Sequence, residues 1–158
     1  MTGTDEELVS RPSARLNGLR ANSFAAIVMV LVELGLGVGV NLFATLPSTD
    51  HGKAPFSAFG RAVTGGPVVL AVHAVLGTVL LITGVSAVVR AVLARRPAVI
   101  AMAGVALLGI IVAWLSGARF VADMARGASL AMAVATAVSI ACYALVLFVV
   151  PARSPGGR

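Results

Sequence analysis

One carboxylate interrupts the first long apolar stretch of the chain and is the first candidate for chemistry. Glu33 lies near the middle of residues 23–46, and no Lys or Arg lies inside any of the long apolar stretches. An isolated charge at the centre of a bilayer is costly, so such an acid is either protonated or paired. We therefore expect a neutral Glu33, hydrogen-bonded to Ser139 or Tyr143, that either exchanges a proton or simply fixes helix packing.

His73 is the second ionisable residue within an apolar stretch, residues 67–89. Three interpretations of this imidazole stay open: a haem ligand, a proton relay, or a neutral side chain that packs and donates to Asn41. Haem b between helices commonly takes two axial side chains, and Met132 is the candidate for the second. The haem hypothesis thus requires His73 and Met132 to face each other across a gap.

Other chemistry finds no residues to carry it in the sequence. The lone cysteine, Cys142, excludes both an internal disulfide and a thiol redox pair. No His, Cys and carboxylate residues have metal-ligand spacing, and neither a catalytic triad nor a phosphate-binding loop is present. We expect no catalytic activity, no metal, and no cofactor unless it is haem.

Composition indicates an integral membrane protein. Hydrophobic residues make up 59 % of the chain and charged residues 11 %, whereas charged residues are about a quarter of a soluble domain. A bilayer core about 30 Å thick needs roughly 20 apolar residues per crossing. The sequence predicts an all-α protein, a transmembrane four-helix bundle with spans at about 23–46, 67–89, 97–116 and 128–150.

Charge predicts the orientation of this bundle. Eight of the 12 Lys and Arg residues lie on the side of the two termini, which favours both termini in the cytoplasm. The net charge of +6 is thereby explained by topology, without nucleic acid. We expect a multi-pass protein of a bacterial cytoplasmic (inner) membrane, with cytoplasmic tails at residues 1–22 and 151–158. The second tail should be disordered and the first disordered or loosely helical.

The predicted outer loop, residues 47–66, contains one helical signal. Phe56 and Phe59 are three residues apart, as on one face of a short helix lying on the membrane surface. An ordinary exposed loop explains the same residues equally well. A glycine pair and Pro67 then mark a turn and the start of the second span.

Helical spacing places polar residues on particular faces. Counted from the outer helix ends, Asn41, His73 and Met132 should form an outer layer, and Glu33 with Ser139 or Tyr143 an inner one. The fourth span carries the clearest stripe, which should face the bundle interior: Ser129, Met132, Thr136, Ser139 and Tyr143.

Residues 32–35, Val-Glu-Leu-Gly, resemble the setting of the membrane-embedded glutamate in the first of four spans of small multidrug resistance transporters. The 20-residue outer loop and the positive-inside bias depart from that family, and the similarity covers one helix. The whole chain is similar to small four-span membrane proteins of high-GC bacteria, a group that implies no particular activity. The elements that carry this similarity are Asn41-Leu42-Phe43, His73-Ala74-Val75-Leu76-Gly77 and Gly117-Ala118-Arg119-Phe120.

Three classes of function follow, and each predicts a different surrounding for the ionisable residues. A structural or assembly partner, the leading hypothesis, predicts dry packing around Glu33 and His73. A small proton- or cation-coupled transporter predicts water access to Glu33, and a haem-binding subunit predicts His73 opposite Met132. The expected partners are the lipid bilayer and either a second copy or another membrane protein.

Overall fold

The computed structural model describes residues 3–43, 54–123 and 126–150 of the chain, and every regular element in these ranges is an α-helix. This confirms the all-α prediction. The elements are α1 (Gly3–Phe43), α2 (Pro55–Gly65), α3 (Val68–Ala94), α4 (Pro97–Asp123) and α5 (Arg126–Val149).

Four of these helices are long and apolar enough to cross a membrane, as predicted. Their apolar spans are Leu16–Val40, Val68–Ala94, Pro97–Ala122 and Gly127–Val149. The first span therefore begins and ends several residues earlier than the sequence analysis placed it. The predicted loosely helical tail is continuous with this span, because α1 already begins at Gly3.

Arg20 shows why α1 continues through a segment that looked polar. Its guanidinium donates to the carbonyl oxygen of Leu147 at 2.8 Å and also to that of Val150. The last carbonyls of a helix have no partner within the helix and carry partial negative charge, so a guanidinium there satisfies them. The charge of Arg20 thus joins the start of α1 to the end of α5.

The four long helices form a closed ring in which α1 contacts α3 and α5, and α4 contacts the same two helices. This is the neighbour pattern of an up-and-down bundle. We call the end at which α1 finishes and α3 begins the α2 end, since α2 packs there against α3 and α4. The opposite end, where Leu19 and Val150 are buried together, is the tail end.

The seam between α4 and α5 is the closest in the bundle core. A Cβ atom built on Gly109 would overlap Ser139 Oγ and would lie 2.8 Å from the backbone oxygen of Ala135. Small residues allow such approach between membrane helices. Toward the tail end, Val30, Leu80 and Tyr143 belong to the buried cluster that holds the helices in register.

Candidate functional site

Glu33 and His73 meet inside the bundle. His73 Nδ1 lies 2.5 Å from Glu33 Oε2, and Glu33 is only 8 % exposed. The direction of approach departs from that of a hydrogen bond, so the contact is an electrostatic pair, charged on both sides when the imidazole holds the proton. The carboxylate therefore has an ionisable partner within the spans, which sequence reasoning sought only among Lys and Arg.

The prediction of two separate polar layers is wrong for these residues, and the helix ends explain why. Depth was counted from residue 46, whereas the first apolar span ends at Val40. At about 1.5 Å per residue, Glu33 then lies roughly 10 Å below Val40, and His73 lies roughly 8 Å below Val68. The two side chains are consequently at the same level of the bundle.

The predicted hydrogen bond from Glu33 to Ser139 or Tyr143 is also wrong. Ser139 Oγ donates to backbone oxygens instead, lying 3.0 Å from Ala106 O and 2.9 Å from Ala135 O. Tyr143 is fully buried, and its hydroxyl has no hydrogen-bond partner in the described part of the chain. Ser139 is thus committed to the α4–α5 seam, while Tyr143 packs against Gly84 nearer the tail end.

An internal cavity of about 180 Å³ adjoins the pair. Glu33 and His73 line it from α1 and α3, and among the described side chains they are the ionisable groups on its wall. The polar stripe of α5 faces the same space, which confirms its predicted inward orientation: Ser129, Met132, Thr136 and Ser139 line the cavity, and Tyr143 is buried beyond it.

Two polar atoms near the cavity are buried without a partner among the described residues: Glu33 Oε1 and Trp114 Nε1. Both side chains approach Gly77 of α3. A Cβ atom on this glycine would lie 3.7 Å from Trp114 Cδ1 and 3.9 Å from Glu33 Oε2. A carboxylate oxygen accepts hydrogen bonds and an indole nitrogen donates one. The cavity wall therefore offers one free acceptor and one free donor on either side of the same glycine.

Aromatic side chains border the cavity towards the α2 end. The rings of Phe56 and Phe59 lie 5.9 Å and 5.0 Å from that of Trp114, both tilted by almost half a right angle. Such offset contacts are favourable between aromatic rings. Phe59 also lines the cavity. Of the two interpretations of residues 55–65, the helical one is thus correct, and the helix contributes to the candidate site.

The geometry gives little to the haem hypothesis. His73 Nδ1 is engaged with Glu33, and His73 Nε2 lies 3.8 Å from the Cβ position of Gly37. Met132 turns its sulfur towards Gly117, at 3.7 Å from the Cβ position there. Asn41, the predicted partner of His73, has a side chain outside the described part of the structure. Among the described residues, no group of three or more His, Cys, Asp and Glu side chains could hold a metal ion.

Trp114 is the residue that sequence reasoning missed. It was interpreted as an anchor at the membrane interface, yet its ring lies among α2, α3 and the cavity. The signal was present in α4, where every cavity-lining residue falls at helical spacing on one face. That face consists of Ile110, Ala113, Trp114, Gly117, Ala118 and Val121, followed one position off by Phe120.

Comparison with known proteins adds no name to this arrangement. No protein-family model, no curated protein and no solved structure matches the chain.

Proposed function

We propose that this protein is a small proton-coupled carrier in a membrane, with Glu33 and His73 as its proton-exchanging pair. The observation that supports the proposal best is the 2.5 Å approach of Glu33 Oε2 and His73 Nδ1 on the wall of an internal cavity of about 180 Å³. The protein moves a solute through this cavity and catalyses no covalent reaction.

The pair can change its charge by one unit at a time. With a single proton on either side chain, the pair is neutral as a whole; without it, the pair carries one negative charge. A neutral pair costs far less inside the bilayer than a lone carboxylate. Loss of the proton therefore has to be compensated by water or by a bound group, and this requirement couples proton movement to occupancy of the cavity.

The assembly-partner hypothesis receives less support from the same surroundings. It expects dry, filled packing around Glu33 and His73, whereas both line a cavity whose wall holds two unpaired polar atoms. Buried polar atoms of this kind are usually satisfied by water or a ligand. The haem hypothesis is weaker still, because Glu33 occupies the Nδ1 side of the imidazole.

Four apolar helices support a multi-pass location. The charge distribution favours a bacterial cytoplasmic membrane with both termini in the cytoplasm. In that orientation, the α2 end and the aromatic border of the cavity face the outside. The tail end, with its arginines on α3 and the α3–α4 connection, faces the cytoplasm.

Access to the cavity from each side of the membrane tests the proposal. The native thiol is removed by Cys142→Ala, and a single cysteine is introduced by Thr136→Cys, at a position that lines the cavity. Right-side-out and inverted vesicles are then treated with a membrane-impermeant thiol reagent. We expect labelling from both sides, since a carrier exposes its site alternately.

Val138→Cys in the same Cys142→Ala background is the matched control, because Val138 lies two residues away on the exposed surface of α5. In the membrane this position faces lipid and should stay unlabelled from either side. Labelling of Thr136→Cys from one side alone contradicts alternating access. Protection from both sides contradicts the carrier and supports the assembly-partner hypothesis.

A further inference from the structure

We infer that the solute of this cavity is a small neutral aromatic alcohol or phenol, one ring bearing one hydroxyl group. The inference rests on the proposed carrier function only in calling this compound the transported solute. The binding site itself follows from the size of the cavity, its unpaired donor and acceptor, and its charge balance.

Size and lining select the apolar part of the compound. An apolar protein cavity of about 150 Å³ binds benzene, and the space here is about 180 Å³. Most of its wall is aliphatic, including Val30, Leu80 and Ile110, and Phe59 closes part of it with an aromatic ring. A single six-membered ring with one small substituent fits this volume, whereas a two-ring compound does not.

The unpaired atoms select the substituent. Glu33 Oε1 accepts a hydrogen bond and Trp114 Nε1–H donates one, and neither has a partner in the described structure. A hydroxyl group is both donor and acceptor. Since the Glu33 and Trp114 side chains both approach the bare backbone of Gly77, a compound lying against this glycine reaches both with its hydroxyl.

The charge balance of the wall selects a neutral compound. The acid Glu33 is already paired with His73 at 2.5 Å, and the other described lining residues are uncharged. A cation entering the cavity would compete with the imidazole for the carboxylate, and an anion would meet the carboxylate itself. Neither has an unpaired opposite charge to bind in a medium that penalises isolated ions.

Binding of 4-fluorophenol to the full chain in lipid nanodiscs, followed by fluorine NMR, tests the inference. Empty nanodiscs correct for partition into lipid. Fluorobenzene is the matched probe, since it keeps the ring and lacks the hydroxyl. We expect saturable binding of 4-fluorophenol and at least about tenfold weaker binding of fluorobenzene, because a site built for a hydroxyl rejects the analogue that lacks it.

Two substitutions assign the bound probe to this cavity. Gly77→Ala places a methyl group at ordinary contact distance, 3.7 Å from Trp114 Cδ1 and 3.9 Å from Glu33 Oε2. The fold is kept and the space between the two side chains is reduced, so 4-fluorophenol binding should fall about tenfold or more. Gly104→Ala is the control, because no heavy atom lies within 4 Å of its Cβ position; binding should be unchanged.

Trp114→Phe removes the indole N–H and keeps an aromatic ring, so it should reduce the preference for 4-fluorophenol over fluorobenzene. The inference is overturned if the two probes bind equally to the unmodified protein, or if Gly77→Ala leaves binding intact. It is overturned as well if 4-fluorobenzylammonium binds more tightly than 4-fluorophenol. These equilibrium measurements need no membrane gradient: failed binding with labelling of Thr136→Cys from both sides refutes the solute alone, and binding without that labelling refutes the carrier alone.

Discussion

Gly109 offers a sharp test of the packing that fixes the cavity wall. In Gly109→Ala the new methyl group would overlap Ser139 Oγ and would lie 2.8 Å from Ala135 O. The serine side chain can rotate, but the backbone oxygen of Ala135 cannot move unless α5 moves. Helices α4 and α5 must therefore separate locally, and overpacking of this kind costs about 1–3 kcal/mol.

Gly104→Ala supplies the matched control on the same helix. Its Cβ position meets no heavy atom within 4 Å, so this variant has the helix-propensity change without the steric cost. Exchanging glycine for alanine contributes about 1 kcal/mol in a helix interior. Because that contribution is common to both variants, the difference between them measures the overlap alone.

The assay is thermal unfolding of both variants in the same nanodiscs, followed by circular dichroism. A difference of 1 kcal/mol corresponds to about 2–4 °C in a chain of this size, so Gly109→Ala should melt several degrees below Gly104→Ala. Adding Ser139→Ala should restore part of the loss, since it removes the overlapping hydroxyl and leaves Ala135 O in place. Equal melting of the two glycine variants would refute the close seam between α4 and α5.

Three further outcomes are expected. Glu33→Gln should keep the fold with a small loss of thermal stability and remove proton exchange in an infrared titration, whereas Glu33→Lys should fail to accumulate in the membrane, because an ammonium beside His73 is a like charge at depth. Arg20→Met should lower the melting temperature by an amount that corresponds to about 1–2 kcal/mol, the value of hydrogen bonds to a charged group; the exposed Arg96→Met should leave it unchanged, and equal effects would contradict the cap on α5. Reporter fusions after Arg96 should show cytoplasmic activity and fusions near residue 124 external activity, and the reverse pattern would overturn the proposed orientation.

The helices and their inward faces could be predicted from the sequence because both depend on local patterns. Long apolar stretches gave the number of spans, and spacing at 3.6 residues per turn gave the stripe from Ser129 to Tyr143. The same reasoning placed His73, Gly77 and Leu80 on one face, and all three line the cavity. These inferences need only the residues of one helix at a time.

Contacts between helices could not be predicted in the same way. The separation of Glu33 and His73 depends on where two different helices begin and end relative to each other, and hydropathy sets those ends only within about one or two turns. The tertiary contact from Arg20 to the end of α5 shifts the apolar part of α1. An error of six residues at Val40 was enough to assign two touching side chains to separate layers.

The correction changes the chemistry that the buried acid can perform. A lone glutamate in the bilayer has one affordable state, the protonated one, and gives up its proton only at high cost. With His73 at 2.5 Å, the proton can lie on either side chain while the pair stays neutral, so its position can follow the cavity contents without a change in net charge. A hydroxyl donating to Glu33 Oε1 favours the arrangement with a carboxylate and an imidazolium, since hydrogen bonds to an ionised acceptor are stronger. Occupancy of the cavity and the location of the proton are thereby linked through a single carboxyl group.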